Sequence, residues 1–148
     1  MTDDRATKRQ KKNTPLILNF MVLPAPAHLS PANWAHPQDK SADYKKLSYW
    51  TDLARLAEES KISAIFIADV LGPYDVFNGP HNFDAVARSG AEFPMVDPSM
   101  YIIAMASVTA SVGFGCTFST LSEAPYPFAR RISSVDTASG GRVVWTLV

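Results

Sequence analysis

ISAIFIAD, residues 62–69, is an unbroken apolar run of strand length that finishes in an acid, and what flanks it decides the fold. Continuous rather than alternating hydrophobicity predicts a strand covered on both faces. PLILNFMVLP, residues 15–24, reads the same way as a first strand. Between them, from Asp43 to Ser60, Leu47, Trp50, Leu53, Ala54 and Ala57 recur at helical spacing, while Lys45, Lys46, Asp52, Arg55, Glu58 and Glu59 largely take the other side. That is an amphipathic helix lying on a sheet. Downstream, residues 72–98 carry Pro73, Gly79, Pro80, Gly90, Pro94 and Pro98, so a long irregular excursion with at most short helices is expected. MYIIAMASVT (100–109) then predicts a buried helix and VGFGCT (112–117) a third strand. Pro127 suits the first turn of a helix running to Ser139, where Gly140 and Gly141 stop it, and VVWTLV (143–148) is a fourth strand.

Alternation of strand and helix predicts an α/β fold with a parallel sheet, either open and doubly wound or part of a barrel. No Gly-x-Gly-x-x-Gly follows the first strand, which lowers the dinucleotide-binding alternative.

Composition narrows the partners. The 14 Lys+Arg balance the 14 Asp+Glu, which gives no electrostatic reason to expect nucleic acid or an anionic membrane and leaves a small molecule as the simpler ligand. Residues 98–122 carry no charge, yet Ser99, Ser107, Thr109, Ser111, Thr117, Ser119 and Thr120, with Gly113 and Gly115, break the run, and no membrane span is expected. The single cysteine, Cys116, has no partner for an internal disulfide, in keeping with a reducing, cytoplasmic compartment. Residues 1–14 mix Asp3 and Asp4 with Arg5, Lys8, Arg9, Lys11 and Lys12 and read as a disordered basic tail ahead of a domain over 15–148.

In parallel α/β folds ligands meet the carboxyl ends of the strands. The first strand delivers the proline-rich loop holding His28, the second ends at Asp69, the third at Thr117 and the fourth near Thr146. Asp69 precedes Val-Leu-Gly-Pro rather than a helix, which weakens the N-cap role and leaves ligand contact and turn-capping evenly matched. Thr117 by itself is an ordinary strand threonine, and His28 an ordinary loop histidine that happens to face the presumed site. Trp34 and His36 are expected to pin that loop by packing. His28, His36 and His81 lack metal-ligand spacing, so no metal is expected. One of Arg130 and Arg131 is expected to form an ion pair with a carboxylate such as Glu123. Cys116 reads as a small buried hydrophobe.

FIADVLGPYDVF (66–77), EFPMVDPSMYIIAMASVT (92–109), GFGCTFST (113–120), PYPFARRISSVD (125–136) and SGGRVVW (139–145), in that order, resemble the bacterial-luciferase-like flavin-dependent monooxygenases. The branch is that of the nitrilotriacetate, long-chain alkane and dibenzothiophene-sulfone monooxygenases, and the YDV motif points toward the last. HLSPANWAHP (28–37) and the helix after it extend the likeness over nearly everything beyond the tail. The resemblance implies a (β/α)₈ TIM barrel, of which this chain supplies about the first four β/α units. It implies reduced FMN as cofactor, with Asp69 and Thr117 as flavin contacts and His28 as a catalytic loop residue. It also implies dioxygen and a small organic substrate that gains one oxygen atom, and a separate flavin reductase as partner.

The sequence departs from the family pattern in lacking a histidine over Val135–Ala138 and in having Thr146, not asparagine, after Trp145. At 148 residues it is also shorter than a closed barrel needs, about 250. On that reading it is an N-terminal fragment, and a catalytically inactive remnant, an interaction fragment or a homo-oligomer that completes itself stay open beside the enzyme. A deazaflavin-dependent reductase of the same superfamily is the remaining alternative.

Overall fold

The computed structural model describes residues 16–28, 30 and 32–147. The tail expected over 1–14 lies outside the described residues, as do Pro15 and Val148 at the outer ends of the first and fourth expected strands. Four strands, β1 (Asn19–Val22), β2 (Ala64–Ile67), β3 (Gly113–Phe118) and β4 (Val143–Leu147), pair in parallel in the order β1-β2-β3-β4. Helices α1 (Leu47–Glu59), α3 (Ser99–Ser107) and α4 (Pro125–Ser139) make the crossovers, and a short α2 (Asp84–Ser89) sits inside the excursion between β2 and α3. The sequential order is that of a partial α/β barrel, one of the two parallel arrangements that the strand and helix pattern allows and the one that the resemblance implies.

Register explains the core. Ile65 pairs with Phe114 and Ile67 with Cys116, so these four share one face, and all are buried. Against that face pack Trp50 of α1, Ile102 and Met105 of α3, and Phe128 and Val135 of α4. Trp50 is fully buried, stacks on Tyr101 with ring centroids 5.0 Å apart, and donates its indole N–H to the Tyr44 carbonyl at 2.6 Å.

The other face differs from expectation. Met21, Phe66, Gly115 and Val144 alternate onto it, and Met21 and Val144 are 52% and 69% exposed. A continuous apolar run therefore does not mean, among the described residues, that both faces are covered. On this face Gly115 leaves room for Phe66, whose Cδ2 would lie 2.9 Å from any Cβ at position 115. The first strand is also shorter than its apolar run, with Leu16 and Ile17 exposed ahead of it.

Two long-range clamps fasten the amino-terminal ends of the strands. Glu58, near the end of α1, accepts hydrogen bonds from the backbone N–H groups of Ala110, Ser111 and Val112 and from the Ser111 hydroxyl, just before β3. Arg142, just before β4, donates to the carbonyls of Ala106 at 2.7 Å and Val112 at 3.2 Å, and to Thr109 Oγ1 at 2.9 Å. The opposite rim, where the strands end, is left to loops. No helix among the described residues is long and apolar enough to cross a membrane.

Candidate functional site

Beyond the carboxyl ends of β2 and β3 lies a cleft of ≈ 550 Å³ walled by Asp69, Val70, Met95, Asp97, Phe118 and Arg131, among others. Asp69 stands two residues past β2 on a segment that does not turn into a helix. Burial raises its pKa first and the Asp97 carboxylate second, while the Val70 N–H and the Arg131 guanidinium pull the other way. Asp97 is itself committed. Its Oδ1 accepts from the backbone N–H and hydroxyl of Ser99 at the start of α3, and its Oδ2 accepts from Arg131 at 2.8 Å.

Arg131 reaches the cleft because α4 starts at Pro125, whose missing N–H costs nothing in the first turn. It pairs with Glu123 as well as Asp97, and its guanidinium lies 5.0 Å from the centre of the Phe118 ring. The ion pair to Glu123 expected of one of the two arginines is thus made by Arg131. Beneath the cleft Cys116 is fully buried, and burial, then Asp69 and Asp97, push its thiol pKa well up, with Arg131 offsetting part. A thiol so placed behaves as a hydrophobe rather than a nucleophile.

The three residues singled out in the sequence do not share one cavity. Thr117 is buried in β3 on the face opposite Cys116, beside Gly115 and level with Thr146 of β4. His28 lines a separate hollow of ≈ 210 Å³ with Met21, Ser41 and Tyr49. Its Nε2 lies 3.3 Å from Oε1 of Glu92, a buried carboxylate that the sequence reading passed over. Glu92 stands 64 positions along the chain from His28, and nothing local in AEFP announces the contact. What joins the two cavities is one strip of chain. Ala27 donates to the Gly90 carbonyl at 3.0 Å, Glu92 N–H to Ala27 at 2.7 Å, and Val96 N–H to Pro24 at 3.1 Å. Residues 91–97 therefore run beside the His28 loop and then form a wall of the Asp69 cleft.

Trp34 does pin the His28 loop, by donating its indole N–H to the Ser89 carbonyl at 2.7 Å and packing over Gly90. His36 does not: it is exposed, and its Nδ1 accepts from the Gln38 N–H. Gly90 has φ of 70°, a conformation suited to glycine, and a Cβ there would come within 3.0 Å of Pro26 and 3.1 Å of Trp34. His81 pairs with Asp75 at 3.2 Å. Among the described residues no three His, Cys, Asp or Glu side chains come together to hold a metal.

The sequence profile of the family described as Luciferase-like monooxygenase matches residues 27–148. The long-chain alkane monooxygenase of Geobacillus thermodenitrificans is 40% identical over 131 residues, covering 88% of this chain and 29% of that protein. A crystal structure of long-chain alkane monooxygenase superposes with a TM-score of 0.88 at 39% identity, covering 93% of this chain and 31% of the other. The dibenzothiophene-sulfone monooxygenase of Rhodococcus erythropolis, toward which the YDV motif points, is less similar, at 33% over 115 residues, or 78% of this chain and 25% of that protein. The structure of a riboflavin lyase with modified FMN and riboflavin aligns with a TM-score of 0.82 at 32% identity, over 91% of this chain and 30% of the other. The chain thus spans about three-tenths of the length of the relatives it matches.

Proposed function

The chain belongs to the luciferase-like monooxygenase family, and on that footing we propose that it contributes one wall of a reduced-FMN site that serves oxygen insertion into a small organic substrate. The observation that carries this is the half-buried Asp69 at the carboxyl end of β2, left without a helix to cap and lining the Asp69–Arg131 cleft. A flavin ring presents a polar edge of alternating hydrogen-bond donors and acceptors on an apolar plane. Asp69 beside Val70, Met95 and Phe118 fits such an edge and plane, and buried Thr117, on the opposite face of β3 and outside this cleft, offers a hydroxyl at the same strand-end rim. The fit extends to the ring and not to the phosphate. The one guanidinium among the described residues lining the cleft, that of Arg131, is already paired with two carboxylates.

When bound, reduced flavin supplies the electrons that activate dioxygen, so the protein's part is binding, orientation and exclusion of water. Asp69 and Thr117 orient the ring, the apolar wall keeps the reacting face dry, and His28 meets the substrate from the β1 loop. A separate flavin reductase delivers the reduced cofactor, and dioxygen is the co-substrate. Anaerobic titration of the chain with reduced FMN tests this reading, with a reduced deazaflavin as the competing ligand. FMN is expected to bind, and Asp69→Asn and Thr117→Val each to weaken it by about tenfold, or about 1.4 kcal/mol. Equal affinity in wild type and both variants, or preference for the deazaflavin, would overturn it.

A further inference from the structure

Glu92 is 6% exposed and adopts φ of 55°, a left-handed conformation uncommon for a residue with a side chain. Its carboxylate caps no helix, and among the described residues the group that faces it is the imidazole of His28, 3.3 Å away. Burying a carboxylate and twisting its backbone are both unfavourable, so the arrangement has to be held by its surroundings. The hydrogen bonds from Ala27 N–H to Gly90 and from Glu92 N–H to Ala27 do that on either side of the pair.

The geometry points to Glu92 as the positioning residue for His28. A carboxylate 3.3 Å from Nε2 favours a proton on that nitrogen and restrains the ring. Nδ1 is then the nitrogen turned away from Glu92, and in the neutral ring it presents a lone pair to a donor group on a ligand. His28 is 38% exposed at its side chain, so this edge is accessible while the other is anchored. The strip that carries Glu92 goes on to wall the Asp69 cleft, which couples the setting of the imidazole to the cleft's shape. The inference rests on the reading of His28 as a residue of the flavin and substrate site, but the anchoring itself is measurable without any ligand.

The test uses the chain labelled with ¹⁵N-histidine, His28 being assigned by loss of its signals in His28→Asn. Wild type is expected to show a downfield Nε2–H proton of His28 protected from exchange with water. Glu92→Gln, which keeps an acceptor oxygen, is expected to retain it. Glu92→Gly is expected to erase it while relieving the left-handed backbone, so the protein stays folded as judged by its thermal transition. Persistence of the protected signal in Glu92→Gly would overturn the inference. FMN titrations of His28→Ala, Glu92→Gly and the double variant supply the second arm. A double variant that binds no more weakly than His28→Ala supports positioning, and additive losses overturn it. If neither single variant alters FMN affinity while the proton signal behaves as expected, the positioning stands and the placing of His28 in the flavin site falls.

Discussion

Burial and the Asp97 carboxylate oppose ionisation of Asp69, and the Val70 N–H and Arg131 offset only part of that. The folded chain therefore holds the Asp69 proton more tightly than the unfolded chain does. Stability from this group is complete below its ordinary value of 3.8 and declines as pH rises through the window above it. An amide at this position carries no such penalty. Asp69→Asn is thus expected to melt at a higher temperature than wild type at pH 7, with the two converging below about pH 4, where the carboxyl is neutral in both states. Thermal unfolding across pH checks it, and an Asn variant less stable at pH 7 would show that Asp69 serves the fold. Gain of stability with loss of flavin affinity is the expected behaviour of a residue kept for a ligand.

Among the elements, the order of strands and helices was legible because the strands are unbroken apolar stretches between turn residues and α1 shows helical spacing. What stayed hidden depends on partners far apart in the chain. The turn of 3-10 helix at Ser41–Lys45, ahead of α1, is set by Asp39 accepting from the Ser41 N–H at 2.7 Å, a local device inside a stretch read as plain helix and loop. Of the candidate site, strand-end position led to Asp69, which the structure places in the cleft, and to Thr117, which lies outside it. Glu92 and the Arg131–Asp97 pair needed the fold to bring them to their partners, whereas the Arg131–Glu123 pair was expected from the sequence. Glu58 is a further instance. On the sequence it is one more charge on the polar side of α1, yet its carboxylate gathers the backbone of Ala110–Val112 and its pKa is lowered to about 2, chiefly by the Ser111 N–H and hydroxyl. A depressed carboxylate stabilises the fold above its ordinary value of 4.5, and that contribution is lost as pH falls from there toward about 2. Glu58→Gln is expected to lower the melting temperature at pH 7 and to flatten its fall across that acid window. An unchanged acid profile in the variant would show that the clamp between α1 and β3 contributes nothing measurable.

For the molecule as a whole, the sequential parallel sheet divides labour between its two rims. The amino-terminal ends are tied by Glu58 and Arg142, while the carboxyl ends carry the two cavities and the strip joining them. Within the sheet, β3 is paired on both sides, and Cys116 sits at its centre with no exposed surface. The lone thiol therefore serves as a built-in clock for breathing of the core. An alkylating reagent can reach it only when the sheet parts from its helices, so the labelling rate is the intrinsic rate of a free thiol scaled by the fraction of time spent open. A ligand that binds only the closed form slows the clock by its occupancy, about a hundredfold at a concentration of 100 Kd. Labelling as fast as in the denatured chain would mean the core does not close, and labelling that ignores FMN would mean the ligand does not select the closed state. Nature has left one atom of sulfur where both questions can be timed without altering a residue.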